Sequence, residues 1–362
     1  MKTIQKIFIF MGIFLFSHSN LLSMEYQLAT GDLVGHIKLW QPNKDGRCKC
    51  TQTIKTTYSN AGVRFLHASS CGKYLFSAFH YCDVVGVWTK KNGTWKKFQT
   101  LDGKGVHVYS LCSTPCSKYL FSGGSTDTKV WRQCKQKNAL SSKWNLVQAL
   151  DTDGNIDALS CSKKYLFTGS TNGHIQVWKL IHSDKPNISC KWERIQVLNE
   201  NSNNPGRVKT LCVTPCGTHL FASFNCGQVK MWKKVGYSNT RTNQEKWNYI
   251  KTTQSPYAEL LCLSSRGKDL FCLSHGKFSD GRIEKWTING DKLENITIYW
   301  LALEQWYENH IPSEGNLSIF IYKNGRIAKT FSNRKIKEYK KFIVQELNNQ
   351  RCYLLLAFHY FS

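Results

Sequence analysis

Cysteine is the residue type in this chain with the most reactive chemistry, because its thiolate ligates metals and forms disulfides. The sequence holds 15 cysteines, an odd number that cannot pair completely. A structural zinc site needs two ligand pairs, typically with two residues inside each pair. Three cysteine pairs come close in sequence but lack that spacing: Cys48 and Cys50, Cys112 and Cys116, and Cys212 and Cys216. The sequence therefore predicts no metal site, and it leaves open whether any disulfide forms.

Histidines and aspartates do not assemble into a recognisable catalytic group. The histidines fall at different points of the repeat described below, so nothing makes them converge: His67, His107, His174, His219 and His275. The aspartates lie in turns, where their side chains favour bonds to the backbone: Asp83, Asp127, Asp153 and Asp280. No glycine-rich phosphate loop and no nucleophile elbow is present. We therefore predict no catalytic residues and no cofactor.

Positive charge is the main functional signal. The chain has 49 lysines and arginines against 24 aspartates and glutamates, a formal net charge of +25. The excess concentrates in the polar segment that follows each repeated tryptophan. We predict a basic binding face formed by these segments: Lys90, Lys91, Lys96, Lys97, Arg132, Lys135, Lys233 and Lys234. Such a face attracts anionic partners at long range.

Two interpretations of this charge stay open. It can serve as a docking face for an acidic protein, an anionic lipid or nucleic acid, or it can be a set of solvated loops in a lysine-rich chain. Nucleic acid is disfavoured as a partner, because the sequence contains no recognisable base-reading module.

The elements that must position these residues follow from a repeat. Six strand patterns end in tryptophan at intervals of roughly 50 residues, a period typical of β-propeller blades. These tryptophans are the predicted structural residues: Trp40, Trp88, Trp131, Trp178, Trp232 and Trp286. A Leu-Phe strand precedes most of them, as in Tyr74-Leu-Phe-Ser77, with a glycine-rich turn between the two. With an apolar strand before and another after, each unit holds four antiparallel strands.

The run from Thr214 to Ser223 (Thr-Pro-Cys-Gly-Thr-His-Leu-Phe-Ala-Ser), continuing to Trp232, resembles a WD-repeat unit. The resemblance covers roughly residues 26 to 331 and implies a non-catalytic interaction scaffold. The aspartate that usually follows the tryptophan is absent from every repeat, and so is the Gly-His pair. The buried Asp–His–Ser/Thr–Trp network of the family therefore cannot be carried over. We expect blade stability to come mainly from packing of the tryptophans and Leu-Phe pairs.

The repeat count predicts an all-β fold: a seven-bladed β-propeller of four-stranded antiparallel blades. A degenerate seventh hairpin is expected around 317–331. The first unit lacks an innermost strand, and the run 352–358 is a spare strand. We therefore expect 352–358 to pair with the strands of 28–40 and close the ring, which removes exposed strand edges. The sequence predicts a monomer.

The first 23 residues predict a cleavable signal peptide, with Lys2 and Lys6 before an apolar run from Ile7 to Phe16. The run is too short to span a bilayer. Residues 24–362 would then form one propeller domain, secreted or periplasmic, with no transmembrane helix after cleavage. The leading hypothesis is an exported scaffold that docks an acidic protein through its basic face. The alternative is a secreted propeller hydrolase or carbohydrate-binding protein with an axial site not evident in the sequence.

Overall fold

A computed structural model of the chain describes residues 28–32, 34–42, 48–58, 61–135, 142–181, 190–199, 206–236, 245–255, 258–264, 267–275, 281–301, 317–323 and 352–358. These residues form strands and turns, with no helix among them. The predicted signal peptide, residues 1–23, lies outside the described residues. Within the described ranges, then, no helix of sufficient length and apolar character to cross a membrane is found.

The chain divides into two compact units, Met1–Leu111 with Ala302–Ser362, and Cys112–Leu301. The first unit contains a three-stranded sheet, a four-stranded sheet and a two-stranded sheet, each in sequence order. Their strands are β1 (Leu28–Gly31), β2 (His36–Pro42) and β3 (Cys48–Lys55); β4 (Val63–Ala68), β5 (Tyr74–Phe79), β6 (Val84–Lys91) and β7 (Thr94–Asp102); and β24 (Leu317–Lys323) with β25 (Cys352–Phe358).

The second unit contains four four-stranded sheets, and the unit boundary falls inside the first strand of the first sheet. We call each sheet a blade and number the blades in chain order, so that these are blades three to six. Their strands are β8 (Val108–Ser113), β9 (Tyr119–Gly124), β10 (Asp127–Lys135) and β11 (Ser142–Asp151); β12 (Ile156–Cys161), β13 (Tyr165–Ser170), β14 (Ile175–Ile181) and β15 (Lys191–Leu198); β16 (Val208–Val213), β17 (His219–Phe224), β18 (Gln228–Val235) and β19 (Lys246–Gln254); and β20 (Ala258–Leu263), β21 (Asp269–His275), β22 (Gly281–Asn289) and β23 (Lys292–Leu301).

The Leu-Phe marker and the repeated tryptophan meet across the second and third strands of a blade. Leu166 pairs with Trp178, and Leu220 pairs with Trp232. The register between the third and fourth strands shifts directly before the tryptophan in every blade that has one. This repeated bulge increases the local twist at the tryptophan and ends the regular alternation there.

The predicted burial of the tryptophans is confirmed. Trp88, Trp131, Trp178 and Trp232 expose 5% of their surface or less. Each packs with apolar side chains of the sheets around it, such as Tyr165 beside Trp232. Burial of this extent makes each indole worth several kcal/mol to the fold, on the order of 3–5.

The prediction that the hydrogen-bond network of the family is lost needs correction, because its Ser/Thr–Trp part is present. The indole nitrogen donates to a hydroxyl on the neighbouring second strand in four blades. The donor–acceptor distances are 2.8 Å for Trp40–Thr30, 2.9 Å for Trp88–Ser77, 2.9 Å for Trp131–Ser122 and 3.2 Å for Trp178–Thr168. The acceptor is the fourth residue of the Tyr-Leu-Phe-Ser/Thr marker or its equivalent, so the marker supplies a polar group as well as packing.

A second set of tryptophans lies near the start of the fourth strand in blades two to five, and two of them join neighbouring blades. Trp192 meets the ring of Phe121 edge-to-face with centroids 5.0 Å apart, and Trp247 meets Phe167 at 4.9 Å. Edge-to-face pairs of this kind add roughly 0.5–1.5 kcal/mol to the area they bury. The phenylalanine of the Leu-Phe marker thus faces the next blade, whereas the leucine packs against the preceding blade, as Leu166 does in one cluster with Tyr119 and Phe121.

The predicted partner of the last strand is wrong. β25 pairs with β24 over seven residues, from Leu317 opposite Phe358 to Lys323 opposite Cys352, whereas β1 pairs with β2 among the described residues. β24 and β25 are both strands of seven mostly apolar residues, so they pair along their full length and every residue of β25 lies opposite a residue of β24.

Candidate interaction surface

Both connections that carry the excess lysines lie at the same end of their blade, as the sequence predicts. Within a blade, the turn before the second strand and the segment after the tryptophan share a main-chain hydrogen bond. Leu180 N donates to Lys164 O at 3.0 Å, and Ile288 N donates to Lys268 O at 2.7 Å. Each blade therefore brings two basic connections side by side.

Blade two presents the densest group, which we call the lysine hairpin: Lys90, Lys91, Lys96 and Lys97. All four are exposed residues at the junction of β6 and β7. The two-residue turn Asn92–Gly93 has positive φ at both positions, 50° and 78°. That conformation defines a type I′ hairpin, which holds the flanking strands in tight register. The lysine hairpin is consequently a short, firmly paired projection.

Register within the hairpin separates its two faces. Lys91 pairs with Thr94 and Lys96 pairs with Thr89, so the two lysines are diagonal neighbours on one face. Lys97 instead lies over the ring of Tyr58, with its Nζ 5.6 Å from the ring centroid. A cation over an aromatic face is held in place by the ring quadrupole. Lys91 and Lys96 are the pair best placed to meet an approaching anion.

In blade five, the predicted binding residues Lys233 and Lys234 have carboxylate partners. Lys233 Nζ lies 2.7 Å from Asp291 Oδ1, and Lys234 Nζ lies 3.3 Å from Glu245 Oε1. Lys234 also lies over the ring of Tyr165, at 5.3 Å. Part of their charge is therefore balanced inside the protein.

The environment of Asp291 agrees with this pairing. A hydrogen bond from Lys233 lowers the pKa of Asp291 below its usual range. His219, 3.8 Å from the same carboxylate, has a pKa lowered first by burial and then by the Lys233 charge, with Asp291 acting in the opposite sense. The carboxylate is thus fixed in its ionised form by its neighbours.

Arg132 is an exposed basic residue of blade three. It pairs across strands with Tyr119 and with Asn145. Among the described residues, no carboxylate lies within ion-pair distance of its guanidinium. The side chain of Lys135, also predicted as a binding residue, lies outside the described residues.

The first strands of the blades carry a second group of polar residues that the sequence analysis missed. In blades two, four, five and six the register of this strand shifts around its second residue, which is charged: Arg64, Asp157, Lys209 and Glu259. In the second unit, Arg207 Nε lies 2.6 Å from Asp157 Oδ2. In the sequence these residues are visible as one charged residue within the apolar pattern of each of these four strands. Bulges are frequent beside functional sites because they redirect a side chain.

The described cysteines differ in exposure: Cys112 and Cys272 are buried, whereas Cys71, Cys116, Cys216 and Cys226 are exposed. Burial raises the pKa of Cys262 to about 11 and raises that of Cys112 and Cys212. Burial lowers the pKa of His67 to about 3, so its imidazole is neutral at physiological pH. Across the described ranges, no group of three metal-ligating side chains forms a cluster.

One exposed histidine has an ordered partner. His174 Nδ1 lies 2.9 Å from Asp153 Oδ2, and Asn172 Nδ2 donates to Asp153 Oδ1 at 3.3 Å. The three side chains join the turn between β13 and β14 to the segment before β12. Their contacts tie two turns together at the end of blade four opposite the basic connections.

Comparison with known families matches residues 95–132 to the WD domain, G-beta repeat. No curated protein matches the chain in sequence. The match spans the end of blade two and most of blade three, where the Tyr-Leu-Phe-Ser marker and its tryptophan are best preserved.

Solved structures resemble the chain over most of its length. The β-propeller domain of Myceliophteria thermophila Cps50 (Swd1) is 13% identical, with a TM-score of 0.55 over 80% of this chain and 85% of that one. A chain of the Mitotic Checkpoint Complex is 15% identical, with a TM-score of 0.53 over 76% and 74%. A candidate 6-phosphogluconolactonase from Bacteroides fragilis NCTC 9343 is 13% identical, with a TM-score of 0.60 over 81% and 95%.

The four-stranded antiparallel blades and the likeness to solved structures show that the chain has a β-propeller fold, in which residues 95–132 match a WD repeat.

Proposed function

We propose that the protein is a non-catalytic scaffold, exported from the cell that makes it, which docks an acidic protein partner through the lysine hairpin. The single observation that carries this proposal is the exposed pair Lys91 and Lys96, diagonal neighbours on a tight turn, with no carboxylate of the described residues within ion-pair distance of either. By contrast, Lys233 and Lys234, at the corresponding end of blade five, are balanced by carboxylates. Lys91 and Lys96 therefore offer an acidic partner positive charge that no described carboxylate balances.

The exposed lysine charges are better suited to speeding the association of a partner than to holding the complex together. Exposed charges interact weakly once a complex is formed, but they steer an oppositely charged partner during approach. This steering is strongest at low ionic strength, since the Debye length shortens from about 10 Å at 0.1 M salt to about 3 Å at 1 M. A partner with an acidic surface would therefore associate faster at low salt.

Export rests on the sequence of residues 1–23 and has a direct test. Expression in a secreting host, followed by mass measurement of the recovered protein, should give a chain that begins near residue 24. Recovery of the full-length chain from the cell interior alone would contradict export. It would leave the docking proposal untouched, because the lysine hairpin does not depend on compartment.

The docking proposal is tested by capture of partners on the immobilised chain starting at residue 24. We compare K91E/K96E with K55E/K104E, which changes net charge equally at exposed positions at the other end of the strands. The proposal expects acidic proteins to be captured at low salt by the wild type and by K55E/K104E, and lost from K91E/K96E. Equal capture by both variants would show that only net charge matters.

The alternative function, a hydrolase or carbohydrate-binding protein, has one structural argument. The fold resembles a candidate 6-phosphogluconolactonase, and Asp157 with Arg207 forms a charged pair on an inner bulge. Hydrolysis of 6-phosphogluconolactone by the purified chain, abolished by Asp157→Asn, would favour this alternative. The scaffold proposal expects no turnover above the buffer rate.

A further inference from the structure

Blades four and five each form a polar bridge to the blade that follows, and both bridges are built from the same three positions. The first is the residue that starts the second strand, Tyr165 or His219. The second is the basic residue paired with it, Lys179 or Lys233. The third is a carboxylate that directly precedes the fourth strand of the next blade, Glu245 for blade four and Asp291 for blade five.

The bridge in blade four is the more complete of the two. The Tyr165 hydroxyl donates to Glu245 Oε2. Lys179 Nζ lies 3.0 Å from the same oxygen, while Lys234 approaches Glu245 Oε1 at 3.3 Å. One carboxylate therefore receives a phenol and two ammonium groups. Charge-assisted bonds of this type are about twice as strong as neutral ones.

Blade three has the first two positions of this bridge, which we call the frame, but it has no carboxylate at the third position. Tyr119 starts its second strand, Arg132 pairs with Tyr119, and Cys190 directly precedes the fourth strand of the next blade. Tyr119 meets Trp192 edge-to-face at 5.8 Å and 87°, matching Tyr165 and Trp247 at 5.8 Å and 84°. The two frames have the same geometry, so Cys190 occupies the position of Glu245.

The Tyr119 hydroxyl forms a hydrogen bond with Cys190 and lies near the charge of Arg132. Burial raises the pKa of Tyr119, the Arg132 charge lowers it, and Cys190 raises it. The cysteine side chain is much shorter than that of glutamate and brings no carboxylate oxygen to Arg132. Within the parts of the chain that the structure describes, nothing else supplies one.

We propose that Tyr119 and Arg132 bind a carboxylate side chain of an acidic protein partner, which takes the position that Glu245 and Asp291 hold in the next two blades. The residue type supports this assignment. Lysine stands in the two blades that have their own carboxylate, and arginine stands in the blade that lacks one. A guanidinium presents a planar fork that receives both oxygens of a carboxylate, so it suits a group that must be captured from another molecule. The inference rests on the proposed function and names one contact of it.

The test measures binding of a fluorescent hexaglutamate peptide to the full chain, with a hexaglutamine peptide as the uncharged control. Arg132→Gln should weaken hexaglutamate binding at least tenfold. Lys143→Gln removes one charge from an exposed position in the same blade and should change binding less than twofold. Cys190→Glu supplies the missing carboxylate, so it should abolish peptide binding and raise the melting temperature.

The reciprocal variant adds a gain-of-function arm. Glu245→Cys gives blade four the same composition as blade three, and we expect the number of hexaglutamate peptides bound per chain to rise. Circular dichroism of each variant confirms that the strands remain. This arm keeps the inference testable if Arg132→Gln lowers stability.

Several outcomes overturn the inference. They are equal binding by Arg132→Gln and Lys143→Gln, retained binding by Cys190→Glu, equal binding of hexaglutamine, and no binding by the wild type. The K91E/K96E variant separates this inference from the proposed function. If that variant alone loses the peptide, docking through the lysine hairpin stands and the Arg132 site is wrong. If Arg132→Gln alone loses it, the Arg132 site stands and the lysine hairpin is the wrong surface.

Discussion

Gln196 binds both main-chain polar groups of Trp247, a residue of the next blade. Its Nε2 donates to the Trp247 carbonyl at 2.9 Å, and its Oε1 accepts from the Trp247 N–H at 2.8 Å. The side-chain amide thus imitates a neighbouring strand at a point where the sheets do not pair. Equivalent bridges join Gln148 with Trp192, and Gln52 with Trp95. These bridges lie between neighbouring blades within each unit.

Removal of one such bridge should cost stability. Gln196→Ala deletes two hydrogen bonds and leaves two partly buried main-chain groups without a partner, so we expect a loss of about 2–3 kcal/mol. Arg194→Ala, an exposed change on the same strand, should stay within about 0.5 kcal/mol. Urea unfolding followed by tryptophan fluorescence measures both. Equal values for the two variants would show that the bridge adds nothing.

Lys251 replaces the glutamine of this bridge in blade five and donates to Leu293 O at 3.1 Å, which satisfies the carbonyl alone. Lys251→Gln should restore the two-way bridge and raise the free energy of unfolding by roughly 0.5–1.5 kcal/mol, the usual net value of one hydrogen bond. Thermal melting of the variant checks this. A lower melting temperature would contradict the equivalence of the two positions.

The hydroxyl partners of the tryptophans lead to a graded prediction. Trp131→Ala should cost about 3–5 kcal/mol, since it empties a buried site. Ser122→Ala keeps the indole but leaves its buried Nε1 without the acceptor now at 2.9 Å, so we expect about 1–3 kcal/mol. Chemical denaturation distinguishes the two. A cost below about one kcal/mol for Trp131→Ala would contradict the central role of packing.

Buried histidine should make stability depend on pH. Burial holds the pKa of His67 at about 3 in the folded protein, against 6.5 for the ordinary side chain. Between about pH 3 and pH 6.5 the His67 side chain therefore binds a proton in the unfolded chain but not in the folded chain. The contribution of His67 is fully present above about pH 6.5, and it is lost as the pH falls from there toward about 3.

The slope that His67 adds cannot exceed about 1.4 kcal/mol per pH unit. His67→Phe removes the titrating group and keeps a ring beside Phe76, which His67 contacts at 6.2 Å between centroids. Unfolding free energies between pH 4 and 7 should fall less steeply for this variant than for the wild type. An unchanged slope would show that His67 does not resist protonation.

Local patterns made much of the fold predictable. The tryptophan spacing and the Leu-Phe marker identify the second and third strands, because both features reflect packing between neighbours in sequence. The serine acceptors were visible in the same marker, although their role depends on a cross-strand bond. Gln196 and Trp247, by contrast, are joined across two blades, and no local pattern connects them.

The single basic face stays a prediction, while the pairing of basic connections within a blade follows from antiparallel topology, as for Lys164 with Leu180 and Lys268 with Ile288. Whether a given lysine is balanced depends on a distant carboxylate, as Asp291 is for Lys233. The pairing of the last strand was wrongly predicted for a related reason: β24 and β25 are distant in sequence, and no local pattern connects them.

The most direct test of the account is the association rate constant of a captured acidic partner, measured by stopped-flow fluorescence at 0.1 M and 1 M salt. We expect K91E/K96E to slow association at least tenfold at 0.1 M salt, while K55E/K104E, with the same net charge, remains within about threefold of the wild type. At 1 M salt the three rates should converge. Equal slowing by both variants, or a rate indifferent to salt, would contradict docking through the lysine hairpin.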